Sequence, residues 1–138
     1  MQIKIRSLLV QHSPELFGEL IDEKLVQFQF TRKEFEGDLT LVVFPFSKLL
    51  KTSPNLAAEK IGDFLLKHLP EIKSFEVVQG FLNISLQDTY WIDQLKQIDG
   101  NPHFGYANPM SKDTVMVEYS SPNTNKPLHL GHLRNNFL

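Results

Sequence analysis

Apolar positions along the first hundred residues recur with two periods, one helical and one of strict alternation. Ile3, Ile5, Leu8 and Leu9 follow a helical face that ends near His12. Ser13-Pro14 reads as an N-cap followed by a first-turn proline, and Leu16, Phe17, Leu20 and Ile21 predict a second short helix or turn. Val26, Phe28 and Phe30 then alternate with Gln27, Gln29 and Thr31, the pattern of a half-buried strand. Glu36-Gly37-Asp38 is a turn signal. Leu39 to Phe44 is dense and β-branched, either a second strand or the start of a helix. Pro45 cannot sit inside a central strand, so a helix is expected from about Pro45 to Lys51.

Ser53-Pro54 opens a clear amphipathic helix, with Leu56, Ala57, Ile61, Phe64, Leu65 and His68 on one side and Pro70 ending it. Phe75 to Val78 and Phe81 to Leu86 predict two strands around Gln79-Gly80. In the second of these, Leu82, Ile84 and Leu86 form the core face, which puts Phe81, Asn83 and Ser85 on the polar face. Gln87 to Ile98 predicts a helix carrying Tyr90, Trp91 and Leu95. The stretch from Gly100 to Pro109 holds four Gly/Pro in ten residues and reads as a linker. Thr114 to Tyr119 is again a strand pattern and opens a new unit.

The expected fold class is therefore α+β. A small antiparallel sheet packs with helices over residues 1–100, and a linker follows over 101–113. Residues 114–138 hold the first strand–loop–helix of a truncated Rossmann-like domain. The rest of that domain is expected to lie beyond Leu138.

Composition narrows the function classes. At 138 residues and 41% hydrophobic, with eleven Phe, the chain has room for one complete domain with a sizeable core. Net charge is −2, with residues 1–110 at −3 (eleven Lys/Arg against fourteen Asp/Glu) and residues 111–138 at +1 (three against two). An acidic N-terminal domain is a poor electrostatic match to nucleic acid, so any such contact must come from a local patch or from shape. With no Cys, disulfides, thiol catalysis and thiolate metal sites are excluded. No run of about 18 apolar residues exists to span a membrane, and Met1 to Val10 lacks a signal-peptide pattern.

The chemistry concentrates in the last quarter, where the apolar run ending Val117-Glu118-Tyr119 meets a Pro- and Asn-rich loop and then His129-Leu130-Gly131-His132. A strand feeding a loop and a helix presents free backbone N–H groups and a positive dipole end to an anion. Gly131 lets a flat group approach the backbone. His129 and His132, three apart, share a side if the helix begins at or before His129. Either imidazole can donate a hydrogen bond to phosphate oxygens, and Lys126 adds a mobile cation. Asn123 and Asn125 offer donors and acceptors, and Glu118 can pair with a cationic group. A bare H-x-G-H is read by default as two surface histidines, and Lys126 and Glu118 singly as solvated charges. A zinc pair lacks a third ligand nearby. The loop in front of the histidines is what favours phosphate binding.

Val117 to Arg134 resembles the signature region of arginyl-tRNA synthetases, a family of class I aminoacyl-tRNA synthetases. His129-Leu130-Gly131-His132 is similar to their HIGH-type motif. Ser120-Ser121-Pro122-Asn123, Lys126-Pro127 and Leu133-Arg134 make the likeness arginyl rather than general class I. Gly37-Asp38 and Gly80-Phe81-Leu82-Asn83-Ile84 resemble, more faintly, the N-terminal accessory domain of the same family.

The resemblance implies that His129 and His132, with Gly131, bind ATP and that the two histidines stabilise the transition state of adenylate formation. It places Ser121 and Asn123 on the arginine backbone groups and Glu118 near the guanidinium. The resemblance also implies that a lysine at the position of Lys126 supplies the missing positive charge in members that lack the second, lysine-rich signature loop. It also implies ATP with Mg²⁺, L-arginine and an arginine-accepting tRNA as partners, no membrane, a monomeric full-length parent and a cytoplasmic location. The accessory domain becomes a reader of the tRNA corner near the D-loop, through Phe81 and Asn83: an exposed aromatic stacks on a splayed base and an adjacent amide reads its edge. Gly37-Asp38 is a turn rather than a contact. A helix is expected after that pair in the family, and the apolar, β-branched Leu39 to Phe46 fits it poorly.

Two rival readings are a stand-alone RNA- or protein-binding module without catalysis, and another class I nucleotidyl-transferase-like enzyme sharing only the H-x-G-H. The Ser120–Lys126 loop argues against the latter.

Overall fold

In the computed structural model, the described residues are 1–106, 114, 116–118, 122 and 125–137. They fall into two compact units, Met1–Pro102 and His103–Leu138.

The first unit opens with helix α1 (Gln2–Gln11) and a single turn of helix, α2 (Ser13–Phe17). Ser13 is not the expected N-cap. It lies inside α2, fully buried, where its Oγ donates to the Val10 carbonyl (2.7 Å) and accepts the Ile21 N–H (3.2 Å). Gly18, at φ 83°, stops α2 before Leu20, which is left exposed, while Ile21 turns back into the core.

Strand β1 (Phe28–Gln29) is shorter than the alternation suggested, and Phe30 is exposed. Leu39–Val42 resolves as strand β2, and helix α3 (Phe44–Leu49) follows. Helix α4 (Pro54–His68) begins where expected, with Ser53 Oγ accepting the Leu56 N–H. Strands β3 (Ile72–Val78) and β4 (Phe81–Leu86) form a hairpin around Gln79-Gly80. Helix α5 (Asp88–Asp99) closes the unit with none of its residues fully buried.

The sheet is antiparallel throughout, in the order β1-β2-β4-β3. Alternation along the two central strands separates its faces. Leu39, Leu41, Leu82, Ile84 and Leu86 are buried in the core with Ala57, Ile61 and Leu65 of α4. Phe17 stacks on Phe46 at 5.2 Å in the same core. Leu56, expected on the buried side of α4, is exposed, as is His68.

The start of β3 is tied to α1 by an ion pair between Lys4 and Glu71. The hydrogen bond from Lys4 holds the Glu71 carboxyl below its ordinary value, against a smaller opposing effect of burial.

In the second unit, helix α6 (Leu130–Asn136) forms just after the Pro- and Asn-rich loop. The strand expected over 114–119 does not form among its described residues, Thr114 and Met116–Glu118. A strand exists only by ladder bonds to a neighbour, and apolar alternation alone does not supply one.

Candidate functional site

Two places in the chain carry chemistry, one in each unit.

In the first unit, the hairpin β3–β4 and strand β2 bring Phe81 and Asn83 to the sheet face opposite the core. Their register partners on β2 are Val42 and Thr40. The alternation placed both residues on the right face, but Asn83 is not exposed there. It is buried at 3% exposure, because the loop between β1 and β2 folds over it. Gly37 makes that approach possible. Its φ is 129°, and a Cβ there would stand 3.2 Å from Asn83 Cβ and 3.3 Å from Thr31 Oγ1. Asp38 then pins the loop to β4, donating its N–H to the Ile84 carbonyl and accepting the Leu86 N–H on Oδ2, each at 2.8 Å. The Gly37-Asp38 pair is thus a structural clasp; the turn expected at Glu36-Gly37-Asp38 lies upstream instead, at Lys33-Glu34, where the Phe35 N–H donates to the Arg32 carbonyl.

Under the loop runs a chain of hydrogen bonds. Thr31 Oγ1 and Thr40 Oγ1 lie 2.9 Å apart, and Thr40 Oγ1 donates to Asn83 Oδ1 at 2.6 Å. Phe81 is half-buried rather than fully exposed, and meets Phe44 edge-on at 5.2 Å and 85°. Phe81, Asn83 and Thr40 line an open pocket of about 80 Å³. That is room for more than a lone water. Phe35 adds a second ring to it, Arg32 a cation, and Gln29 and Gln79 amides. Sequence reasoning found Phe81 and Asn83 but missed these others. Thr40 left a trace, as the polar residue between Leu39 and Leu41. Thr31, Arg32 and Phe35 left none, because a loop carries no period.

In the second unit, His129 is the N-cap of α6 rather than its first residue. The two histidines are brought together as the spacing implied, with ring centroids 4.0 Å apart. They form a reciprocal cap: Gly131 N–H donates to His129 Nδ1 (3.1 Å), and His129 N–H donates to His132 Nδ1 (3.2 Å). Of the backbone N–H groups expected to be free at this helix start, that of Gly131 is engaged. An orphan amide at a helix start takes the nearest acceptor, and the missing side chain at 131 lets the His129 ring fold back to within 3.0 Å of where a Cβ would stand.

The cap also fixes tautomers. Each Nδ1 accepts, so each neutral ring carries its proton on Nε2 and presents a donor there. Two adjacent imidazole donors suit phosphate oxygens. Lys126 and Glu118 are exposed, and Ser121 and Asn123 lie outside the described residues. Among the described residues no helix is long and apolar enough to cross a membrane.

A histidine pair with two outward donors, set after a Pro- and Asn-rich loop, is compatible with phosphate oxygens, and known proteins similar to the chain give its family. Residues 97–138 match the family model for the catalytic domain of class I tRNA synthetases (R). Residues 4–86 match that of the arginyl tRNA synthetase N terminal domain. The arginine-tRNA ligase of Amoebophilus asiaticus is 57% identical over 82% of this chain and 19% of its own length. That of Parabacteroides distasonis is 47% identical over 98% of this chain and 23% of its own. The structure of Thermus thermophilus arginyl-tRNA synthetase superposes with a TM-score of 0.55, at 25% identity, over 98% of this chain and 21% of that one. The chain belongs to the arginyl-tRNA synthetase family, and holds its N-terminal domain and the start of its class I catalytic domain. It spans about a fifth of the length of the curated relatives it matches.

Proposed function

We propose that the chain serves an arginyl-tRNA synthetase in two ways: residues 1–100 contact the corner of an arginine-accepting tRNA, and residues 114–138, after a linker over 101–113, contribute to the ATP and arginine sites. The whole enzyme joins L-arginine to ATP, bound as its Mg²⁺ complex. The arginine carboxylate oxygen forms a bond to the α-phosphorus, the bond to pyrophosphate breaks, and arginine then passes from the adenylate to the tRNA. It works as a monomer in the cytoplasm.

The Nε2–H groups of His129 and His132 donate to the phosphate oxygens on which charge builds up as pyrophosphate leaves. Gly131 keeps the His129 ring close to the helix start. Lys126 adds positive charge to the same phosphates. Ser121 and Asn123 hold the amino-acid backbone groups, and Glu118 pairs with the guanidinium. These 138 residues alone are expected to form no arginyl adenylate. Arginine-dependent exchange of pyrophosphate into ATP by them would contradict that.

The observation that carries the tRNA contact is the pocket in which a half-buried Phe81 and a buried Asn83 share one opening. It combines a ring for stacking with an amide for edge reading. Fluorescence titration of the chain with arginine-accepting tRNA tests it. Phe81→Ala is expected to weaken binding about 5- to 100-fold, the loss of one stacked base. Equal affinity for the two proteins removes Phe81 from the interface. In that event the reading as a module for some other RNA or protein gains ground.

A further inference from the structure

Helix α5 presents its apolar stripe to water and its polar side to the unit it closes. At about 100° per residue, Trp91, Leu95 and Ile98 fall on one stripe, with Ile92 on its flank. Their exposures are 50, 66, 44 and 52% in that order. On the opposite side, Tyr90, Asp93, Gln94 and Gln97 share a cleft with Pro70 and Glu71, just ahead of β3. Tyr90 and Gln94 are the least exposed residues of the helix, and the Met1 ammonium donates to Tyr90 Oη at 3.1 Å. Helix α4 does the reverse and buries its stripe of Ala57, Ile61 and Leu65 in the core. Four large apolar side chains held together on one outward face mark a contact surface.

Three observations select what covers it. The match to the N-terminal domain family stops at residue 86, before α5, and the match to the catalytic domain family starts at 97, inside it. The helix therefore joins the two domains in sequence, and Ile98 of the stripe already belongs to the catalytic match. This chain covers only 19% to 23% of its relatives and holds only the start of that catalytic domain. The helix also carries Asp88, Asp93 and Asp99 against the single cation Lys96, which disfavours an RNA backbone.

We propose that Trp91, Leu95 and Ile98, flanked by Ile92, are the docking face for the part of the class I catalytic domain that follows residue 138 in the full-length enzyme. Docking removes the apolar stripe from water, while the polar side of α5 keeps its seat beside Pro70 and Glu71. The proposal rests on membership of the family and is independent of the tRNA contact at Phe81.

Trp91 is the only tryptophan in these 138 residues, so its fluorescence reports on the stripe directly. The test is acrylamide quenching of Trp91 in the 138-residue chain and in the full-length enzyme, with any tryptophan beyond residue 138 replaced by phenylalanine. Both are measured over a dilution series, first without tRNA and then with it. The chain alone is expected to be quenched readily at every concentration. In the full-length enzyme the quenching constant is expected to fall severalfold and the emission to shift to the blue. Leu95→Lys is expected to return both toward the values of the chain alone. In the chain itself the same substitution should leave the unfolding midpoint in place, because Leu95 is exposed there. Should the full-length Leu95→Lys variant fail to fold by circular dichroism, Leu95→Ala takes its place, with a smaller shift in the same direction. Equal quenching in the chain and the full-length enzyme overturns the proposal. Shielding that the chain already shows and loses on dilution overturns it in favour of a second copy. Shielding that appears only when tRNA is added overturns it in favour of RNA.

Discussion

At Gly37, Ser13 and Gly131 single atoms decide the local structure. A methyl at Gly37 would crowd Asn83 and Thr31 at 3.2–3.3 Å, on backbone whose φ is already 129°. Gly37→Ala is expected to cost about 1–3 kcal/mol, read as a lower midpoint in urea unfolding. It should also weaken tRNA binding, since the loop it displaces lines the pocket. Ser13→Ala orphans the Ile21 N–H in a buried place, again about 1–3 kcal/mol. An unchanged denaturation midpoint would mean that water replaces the hydroxyl there. Gly131→Ala pushes the His129 ring off its cap, because the new Cβ would stand 2.9 Å from His129 Cε1. The residue scale was the least legible in the sequence. The face on which Phe81 and Asn83 stand follows from alternation. That Asn83 is covered does not, because the cover is a loop held by a glycine approach and by Asp38, neither of which has a period.

Elements were legible wherever a local signal marked their ends. Ser53-Pro54 starts α4, and Gln79-Gly80 turns β3 into β4. Ser53→Ala is expected to lower stability by about 1 kcal/mol, because the Leu56 N–H loses its acceptor. A thermal midpoint equal to that of the unsubstituted chain would show that water caps the helix as well. Where tertiary contacts set the limits, the pattern misled. Strand β1 keeps only Phe28–Gln29, since its pairing with β2 ends there and Phe30 has nothing to pack on. Helix α2 stops at Phe17 because Gly18 takes the left-handed conformation, although apolar residues continue to Ile21. The segment from Leu39 is a strand rather than a helix because its β-branched, alternating residues pair with both β1 and β4. Residues 114–119 carry the same kind of pattern, yet their described positions are not in a strand.

At the scale of the whole molecule, charge and pairing set the response to solution conditions. The Lys4–Glu71 pair joins α1 to the start of β3, and Lys4 holds the Glu71 carboxyl below its ordinary 4.5. A carboxyl lowered by folding stabilises the fold above 4.5, and that contribution disappears as pH falls below 4.5 through the lowered value. Glu71→Gln is expected to flatten the acid limb of the stability profile by no more than about 1 kcal/mol, since the pair is partly exposed. A limb as steep as before would assign the acid sensitivity to other carboxylates. The net charge of −2 predicts tRNA binding with a shallow salt dependence, carried by base contacts more than by phosphates. The family was legible in the sequence from one contiguous motif, Val117 to Arg134, because its residues lie next to one another in the chain. The pocket in the N-terminal unit was only half legible, because its residues come from all four strands, the loop between β1 and β2 and the β3–β4 turn.

The central claim is that this unit reads the corner of a tRNA. Hydroxyl-radical footprinting of arginine-accepting tRNA with the chain, beside Phe81→Ala, tests it most directly. Protection confined to the D-loop and reduced in the variant is the predicted result. Protection of the acceptor stem or anticodon arm instead, or a D-loop footprint that persists unchanged in Phe81→Ala, would contradict it.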